Sequence, residues 1–231
     1  MVHRSALLSL TLLTVLACSE SPAAPHVGAS GAGQLTMLNA LGAGDPATLH
    51  LDGTAVTLPP AGESGTAILA AGAHQLQAIA TGGQVLASAT FTLTDGAHRT
   101  AVISGAAGHN VLLVTTLDTA AVPVLDAVKL RVVHTVAGAP AMDVYLSQVG
   151  HAADSTSRLV TNLQYGTGTD ARFPGYAIRP AGQYVITLTA TGTSTVLLQS
   201  GSLTLNAGDV DSFVLAQNAA GELELRTVKE H

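Results

Sequence analysis

The sequence predicts an all-β chain: two tandem β-sandwich domains behind an export signal and a flexible tether. Three observations carry this. Apolar and polar residues alternate with period two over many short runs, the pattern of half-buried strands. Gly-containing breaks punctuate those runs, at Asp52-Gly53, Gly82-Gly83, Asp95-Gly96, Ala207-Gly208 and Ala220-Gly221. The two halves of the chain also align with each other.

In chain order, His3 and Arg4 give a short basic start, and Ala6 to Leu16 is nearly all Ala, Leu, Val, Ser and Thr. That run is too short to span a bilayer and has the length of a signal-peptide core. It ends at Val15-Leu16-Ala17-Cys18, which resembles the lipobox of bacterial lipoproteins, and Cys18 is the only cysteine. The resemblance implies cleavage before Cys18, a diacylglyceryl thioether on its sulfur and acylation of its new amine. Multiple acyl chains make anchoring stable where a single chain is marginal. Residues 1–17 are therefore expected to be a lipoprotein signal peptide. Ser19 follows the cysteine, and the absence of Asp there implies sorting to the outer membrane in a host with two membranes. Residues 18–33 lack periodicity and are rich in Ser, Pro, Ala and Gly, the composition of a lipidated, flexible tether.

The strands come next. Met142, Val144 and Leu146 share one face, opposed by Asp143, Tyr145 and Ser147. Val85, Ala87, Ala89, Phe91 and Leu93 form a second apolar stripe, and Leu223 and Leu225 alternate with Glu222, Glu224 and Arg226. LTMLNALGAGDPATLHL from Leu35 aligns with LRVVHTVAGAPAMDVYL from Leu130, and AAGAHQLQAIATG ending at Gly82 with PAGQYVITLTATG ending at Gly192. The inward positions Val85, Phe91 and Leu93 correspond to Leu197, Leu203 and Leu205. Domain 1 is thus expected over residues 34–117, a connector over 118–128 and domain 2 over 129–231. Each is about a hundred residues, the size of an immunoglobulin/transthyretin-like sandwich. A membrane barrel would need aromatic girdles, which 3% aromatics do not supply.

Composition excludes several functions. Nine Lys+Arg against fifteen Asp+Glu, a net charge of −6, cannot build a phosphate-neutralising surface, so nucleic acid is not an expected partner. With 47% hydrophobic residues the chain does not have the composition of a disordered one. One cysteine makes neither a disulfide scaffold nor a cysteine zinc site. Only 10% of residues are charged, against about 25% in an average domain, which reads as an uncharged outer β surface.

The segment KLRVVHTVAGAPAMDVYL, Lys129 to Leu146, resembles the opening of a bacterial family called domain of unknown function 4397. Arg131, Val132, Val133 and His134 fit its R-V-V-H segment, Ala139 and Pro140 its turn, and Asp143, Val144 and Tyr145 its D-V-Y strand. Tyr165-Gly166 and Pro180 to Tyr184 fit its later features. The first half is a degenerate copy, with Asn39 in place of His134 and His50 in place of Tyr145. The resemblance implies tandem copies and a surface or secreted location, and it supplies no catalytic residues.

Candidate chemistry is sparse. No histidine pair has the i, i+4 spacing of a helical zinc motif, and His134 shares parity with Leu130 and Val132, so it is expected to point inward as a satisfied core histidine. Gly62-Glu63-Ser64-Gly65 reads as a polar turn rather than a nucleophile elbow. Gly166-Thr167-Gly168-Thr169 and Gly42-Ala43-Gly44 read as hairpin or bulge loops, since neither opens a helix. Asp209 and Asp211 supply too few oxygens for Ca²⁺. Neither a metal nor a cofactor is expected. The aromatics offer one functional hint: Tyr145, Tyr165 and Tyr176, gathered on one outer face, could stack on sugars or contact a partner, whereas cross-strand packing would be their purely structural use.

The sequence therefore points to a non-catalytic, lipid-anchored protein of the cell envelope, displaying two sandwiches in a structural or binding role. Its expected partners are the membrane, through Cys18, and an envelope polysaccharide or protein. A carbohydrate-binding module using the second-domain tyrosines and an envelope hydrolase are the alternatives.

Overall fold

The computed structural model describes residues 31–41, 47–106, 109–116, 126–165, 176–218 and 220–230. The first domain contains β1 (Ala32–Leu41), β2 (Ala47–Leu51), β3 (Thr54–Val56), β4 (Ser64–Ala70), β5 (Gly72–Ala80), β6 (Val85–Leu93), β7 (His98–Ala106) and β8 (His109–Thr116). The second contains β9 (Ala127–His134), β10 (Met142–Gln148), β11 (Arg158–Leu163), β12 (Ala177–Pro180), β13 (Gly182–Ala190), β14 (Val196–Gln199), β15 (Leu203–Leu205), β16 (Val210–Gln217) and β17 (Leu223–Lys229). Cys18 and the loops around Gly42 and Gly166 lie outside the described residues.

Each domain is a two-sheet sandwich with the same topology. The first sheets run β4-β1-β7-β8 and β12-β9-β16-β17; the second sheets run β3-β2-β5-β6 and β11-β10-β13-β14, with β15 also pairing with β13. In both, the opening strand lies parallel to its neighbour, β1 to β7 and β9 to β16, while the other pairings are antiparallel. Strand β6 is replaced by two short strands, β14 and β15, in the second copy. The repeat read from the sequence is therefore a repeat of architecture.

Alternation builds the two cores. Leu35, Met37, Leu49, Leu76, Ile103 and Leu93 fill the first, and Leu130, Val132, Met142, Val144, Ile186 and Phe213 the second. The turn between β2 and β3 has Asp52 at φ 50° and Gly53 at φ 80°, two successive left-handed residues, as a two-residue type I′ hairpin requires. One stripe departs from strict alternation. A bulge shifts the β5–β6 register between Ala78↔Ala87 and Ile79↔Val85, so Leu86 packs on the core and Val85 is 47% exposed. The second copy carries the same bulge, with Leu197 against the core and Val196 exposed. An extra residue inverts parity beyond it, which corrects Val85 as an inward position. Strand β1 starts two residues inside the expected tether, because Ala32 and Gly33 pair with Ala70 and Leu69; β9 likewise starts inside the expected connector.

The expectation of an uncharged outer surface fails on the first sheets, where the outer faces of β1, β7, β8, β9, β16 and β17 are buried against each other, while Ile68 of β4 and Ile178 of β12 stay exposed. Leu38, Ala40, Val102 and Leu113 of domain 1 form one apolar cluster with Val133, Val214 and Val228 of domain 2. Thr135 Oγ1 donates to Ser104 Oγ across the seam at 2.8 Å, and the Arg226 guanidinium donates to the carbonyls of Ala40 and Gly105. The Lys229 amide donates to the Gly62 carbonyl, and Ser64 Oγ to the Glu230 carbonyl. Charge is buried on this side too: Arg131 Nη2 lies 3.1 Å from Glu230 Oε1, both side chains 2% exposed. Ser212 Oγ accepts from Arg131 Nε and donates to Glu230.

Leu38 is fully buried in this seam, so Leu38→Ala should cost about 2–5 kcal/mol. Because Leu38 packs on domain 2, hydrogen exchange should quicken in β9, β16 and β17 as well as in domain 1. Faster exchange confined to domain 1 would show that the seam does not couple the sandwiches.

Candidate functional site

The three tyrosines singled out by sequence are not gathered on one face. Tyr176 lies on the first-sheet side, its ring over Lys129 and Arg131 at 4.9 and 4.6 Å and its hydroxyl donating to Glu230 Oε2 at 2.7 Å. That is a structural use: it covers the buried charges of the seam. Tyr165 meets His134 edge-on, with ring centroids 6.3 Å apart. Tyr145 lines a groove on the outer face of the second sheet of domain 2.

His134 and His74 both serve the fold. His134 points inward, as its parity predicts. Its Nδ1 accepts the Val136 amide at 3.2 Å, which leaves the proton on Nε2 to donate to the Pro140 carbonyl at 3.4 Å. Desolvation holds its pKa below the usual value, so the ring is neutral at physiological pH. Asn39, its counterpart in the first copy, repeats the role: Oδ1 accepts the Leu41 amide and Nδ2 donates to the Pro59 carbonyl. His74 lies near the start of β5, with Nδ1 2.8 Å from Asp52 Oδ2 and Nε2 2.8 Å from the Ala70 carbonyl. A general base needs a free imidazole nitrogen. Here both nitrogens face acceptors, an arrangement that suits the cation.

The acid pair at the start of β16 is neutralised from within. Lys229 Nζ bridges Asp209 and Asp211. Its ammonium holds Asp209 below the usual carboxylate range, while burial pushes Asp211 up. Among the described residues no group of three or more His, Cys, Asp or Glu could hold a metal.

The groove is built from strand register. Tyr145 on β10 stands opposite Thr187 on β13 and opposite Arg158 on β11. The Arg158 guanidinium lies over the Tyr145 ring, 5.3 Å from its centroid. Asp143 ties the walls together: Oδ1 accepts the Asn162 amide at 2.9 Å and Oδ2 the Gly192 amide at 3.1 Å. Burial raises its pKa, but these two bonds and the Arg158 charge outweigh it and keep the group ionised. Asn162 is held at φ 58° beside a bulged stretch of β10–β11 pairing. The cavity, about 470 Å³, is completed by Thr161, Thr189 and Thr191. Thr187 Oγ1 accepts from Gln199. Thr189 Oγ1, in a residue 5% exposed, has no partner. Sequence reasoning found Tyr145 but missed Arg158 and the threonines, since nothing local marks strands that pair across the sheet.

The Asp52–His74 pair makes stability pH-dependent. Burial lowers the His74 pKa, but its bonds to Asp52 and Ala70 outweigh this and raise it overall; Asp52 is lowered by the Gln75 amide and His74. The histidine contribution is complete below its usual 6.5 and is lost as pH rises through the raised value; the aspartate contribution is complete above its usual 3.8 and is lost as pH falls through the lowered one. Asp52 is 48% exposed, so screening limits the effect to about 0.5 kcal/mol. Urea unfolding should show His74→Gln more destabilising at about pH 5.5 than at about pH 9. An equal cost at both would show that the ring is not charged in the fold.

No curated protein matches the chain. Among solved structures it is similar to the Bacillus anthracis TIE protein, at 12% identity and a TM-score of 0.26, covering 80% of this chain and 34% of that one. It is also similar to a leucine-rich repeat protein from Bacteroides thetaiotaomicron, at 11% identity and a TM-score of 0.21, covering 81% of this chain and 26% of that one. The chain thus spans well under half the length of either. The family described as Domain of unknown function (DUF4397) matches residues 33–145 and 128–231, one match for each sandwich, with an overlap over β9 and part of β10. Matched twice over nearly all its folded length, the chain belongs to the DUF4397 family as two tandem copies of its domain.

Proposed function

We propose that this chain is a non-catalytic, lipid-anchored protein of the cell envelope, exported and held through Cys18, that displays its paired sandwiches in a binding role. One observation carries the binding role: the groove at Tyr145, with its unpartnered Thr189 hydroxyl, lies on a sheet face that the domain seam leaves uncovered. The engagement of both ring nitrogens of His74 and of His134 supports a role without general-base chemistry. A sugar-binding reading is favoured by the threonine hydroxyls around Tyr145 alone, and Tyr165 and Tyr176 take no part in it.

Anchoring is tested separately from binding. Cys18→Ala should abolish labelling by radioactive palmitate and move the protein from the membrane to the soluble fraction. Unchanged membrane association and labelling would overturn the anchor.

A further inference from the structure

The groove presents a distinctive set of groups to an occupant. Its threonine hydroxyls both donate and accept hydrogen bonds, as sugar hydroxyls do. Its charge is one-sided in reach. Asp143 is 3% exposed, with its oxygens engaged by the Asn162 and Gly192 amides, whereas Arg158 is exposed. The positive charge is therefore the one an occupant meets. The guanidinium lies over the Tyr145 ring, 5.3 Å from its centroid, and among the described residues no hydrogen bond uses its N–H groups. A planar guanidinium whose N–H groups are available suits the two oxygens of a carboxylate. Thr189 adds a second pointer, because a buried hydroxyl without a partner costs about 1–3 kcal/mol. A ligand hydroxyl reaching it would relieve that cost. The volume, about 470 Å³, falls within the ~300–1,000 Å³ of small-ligand pockets.

We propose that this groove binds a carboxylate-bearing saccharide, with Arg158 taking the carboxylate and Thr189 a sugar hydroxyl. The corresponding positions of the first copy are Thr48 and His50 in place of Asp143 and Tyr145, so the site belongs to the second domain. The proposal rests on the binding role above and narrows it to one ligand class.

The test is calorimetric titration of the full chain with trimers of galacturonate and glucuronate. A methyl-esterified galacturonate trimer, a galactose trimer and a short peptide with a free C-terminal carboxylate are the comparison arms. At least one uronate trimer should bind, with ester and neutral sugar about tenfold weaker or more. Arg158→Gln should weaken uronate binding about tenfold, and Thr189→Val about threefold or more, with thermal stability retained in both. The proposal is overturned if neither uronate binds, if acid and ester bind equally, if both variants bind as the parent does, or if the peptide alone occupies the groove. None of these outcomes touches the anchor, which the Cys18 experiment reads independently.

Discussion

The packing of the two first sheets decides what the rest of the molecule can do. An antiparallel sandwich ordinarily buries one face of each sheet and leaves the other to water. Here the outer faces around Leu38, Val102, Val133 and Val214 exclude water from each other. Once they are covered, the second sheets carry the broad free faces of the pair. The seam also explains charges that would otherwise be misplaced. Arg131 and Glu230 are tolerable when buried because each is paired and further bonded, to Ser212 and Tyr176. Such a pair adds little net stability, yet loss of either partner would strand a buried charge at a cost of about 3–5 kcal/mol.

The family motif can be followed residue by residue through this arrangement. In R-V-V-H, Arg131 enters the buried ion pair, Val132 the core of domain 2, Val133 the seam, and His134 ties the strand end to the Pro140 carbonyl. In D-V-Y, Asp143 locks the groove walls, Val144 enters the core and Tyr145 lines the groove. The first copy keeps the positions that the sandwich needs. Asn39 reproduces the two bonds of His134 with a different side chain. It lacks the aspartate and tyrosine of the groove, so the copies share a scaffold and differ in the surface they present.

Local pattern made the fold legible. Alternation identified the inward faces at Met142, Val144 and Leu146, and the turn residues marked the breaks, with Asp52-Gly53 taking the left-handed conformations its composition suggests. What escaped was non-local. The bulge at Leu86 inverts parity and exposes Val85, and nothing in the run itself announces it. The seam was hidden because polar alternation does not say whether the polar face meets water or another sheet. Lys129 and Arg131 alternate with the core residues Leu130 and Val132, yet both are buried in the fold. The groove was half legible: Tyr145 was identified, but its distance from Tyr165 and Tyr176 depends on which strands pair, as does the approach of Arg158.

The central claim is that the sandwiches form one unit, fixed by the seam, with the Tyr145 face left free. Differential scanning calorimetry of the full chain tests it most directly. A single transition with calorimetric and van't Hoff enthalpies in a ratio of about one is the expected result for a coupled pair. Two transitions, or a ratio of about two, would mean that the domains unfold independently and that the seam does not hold them.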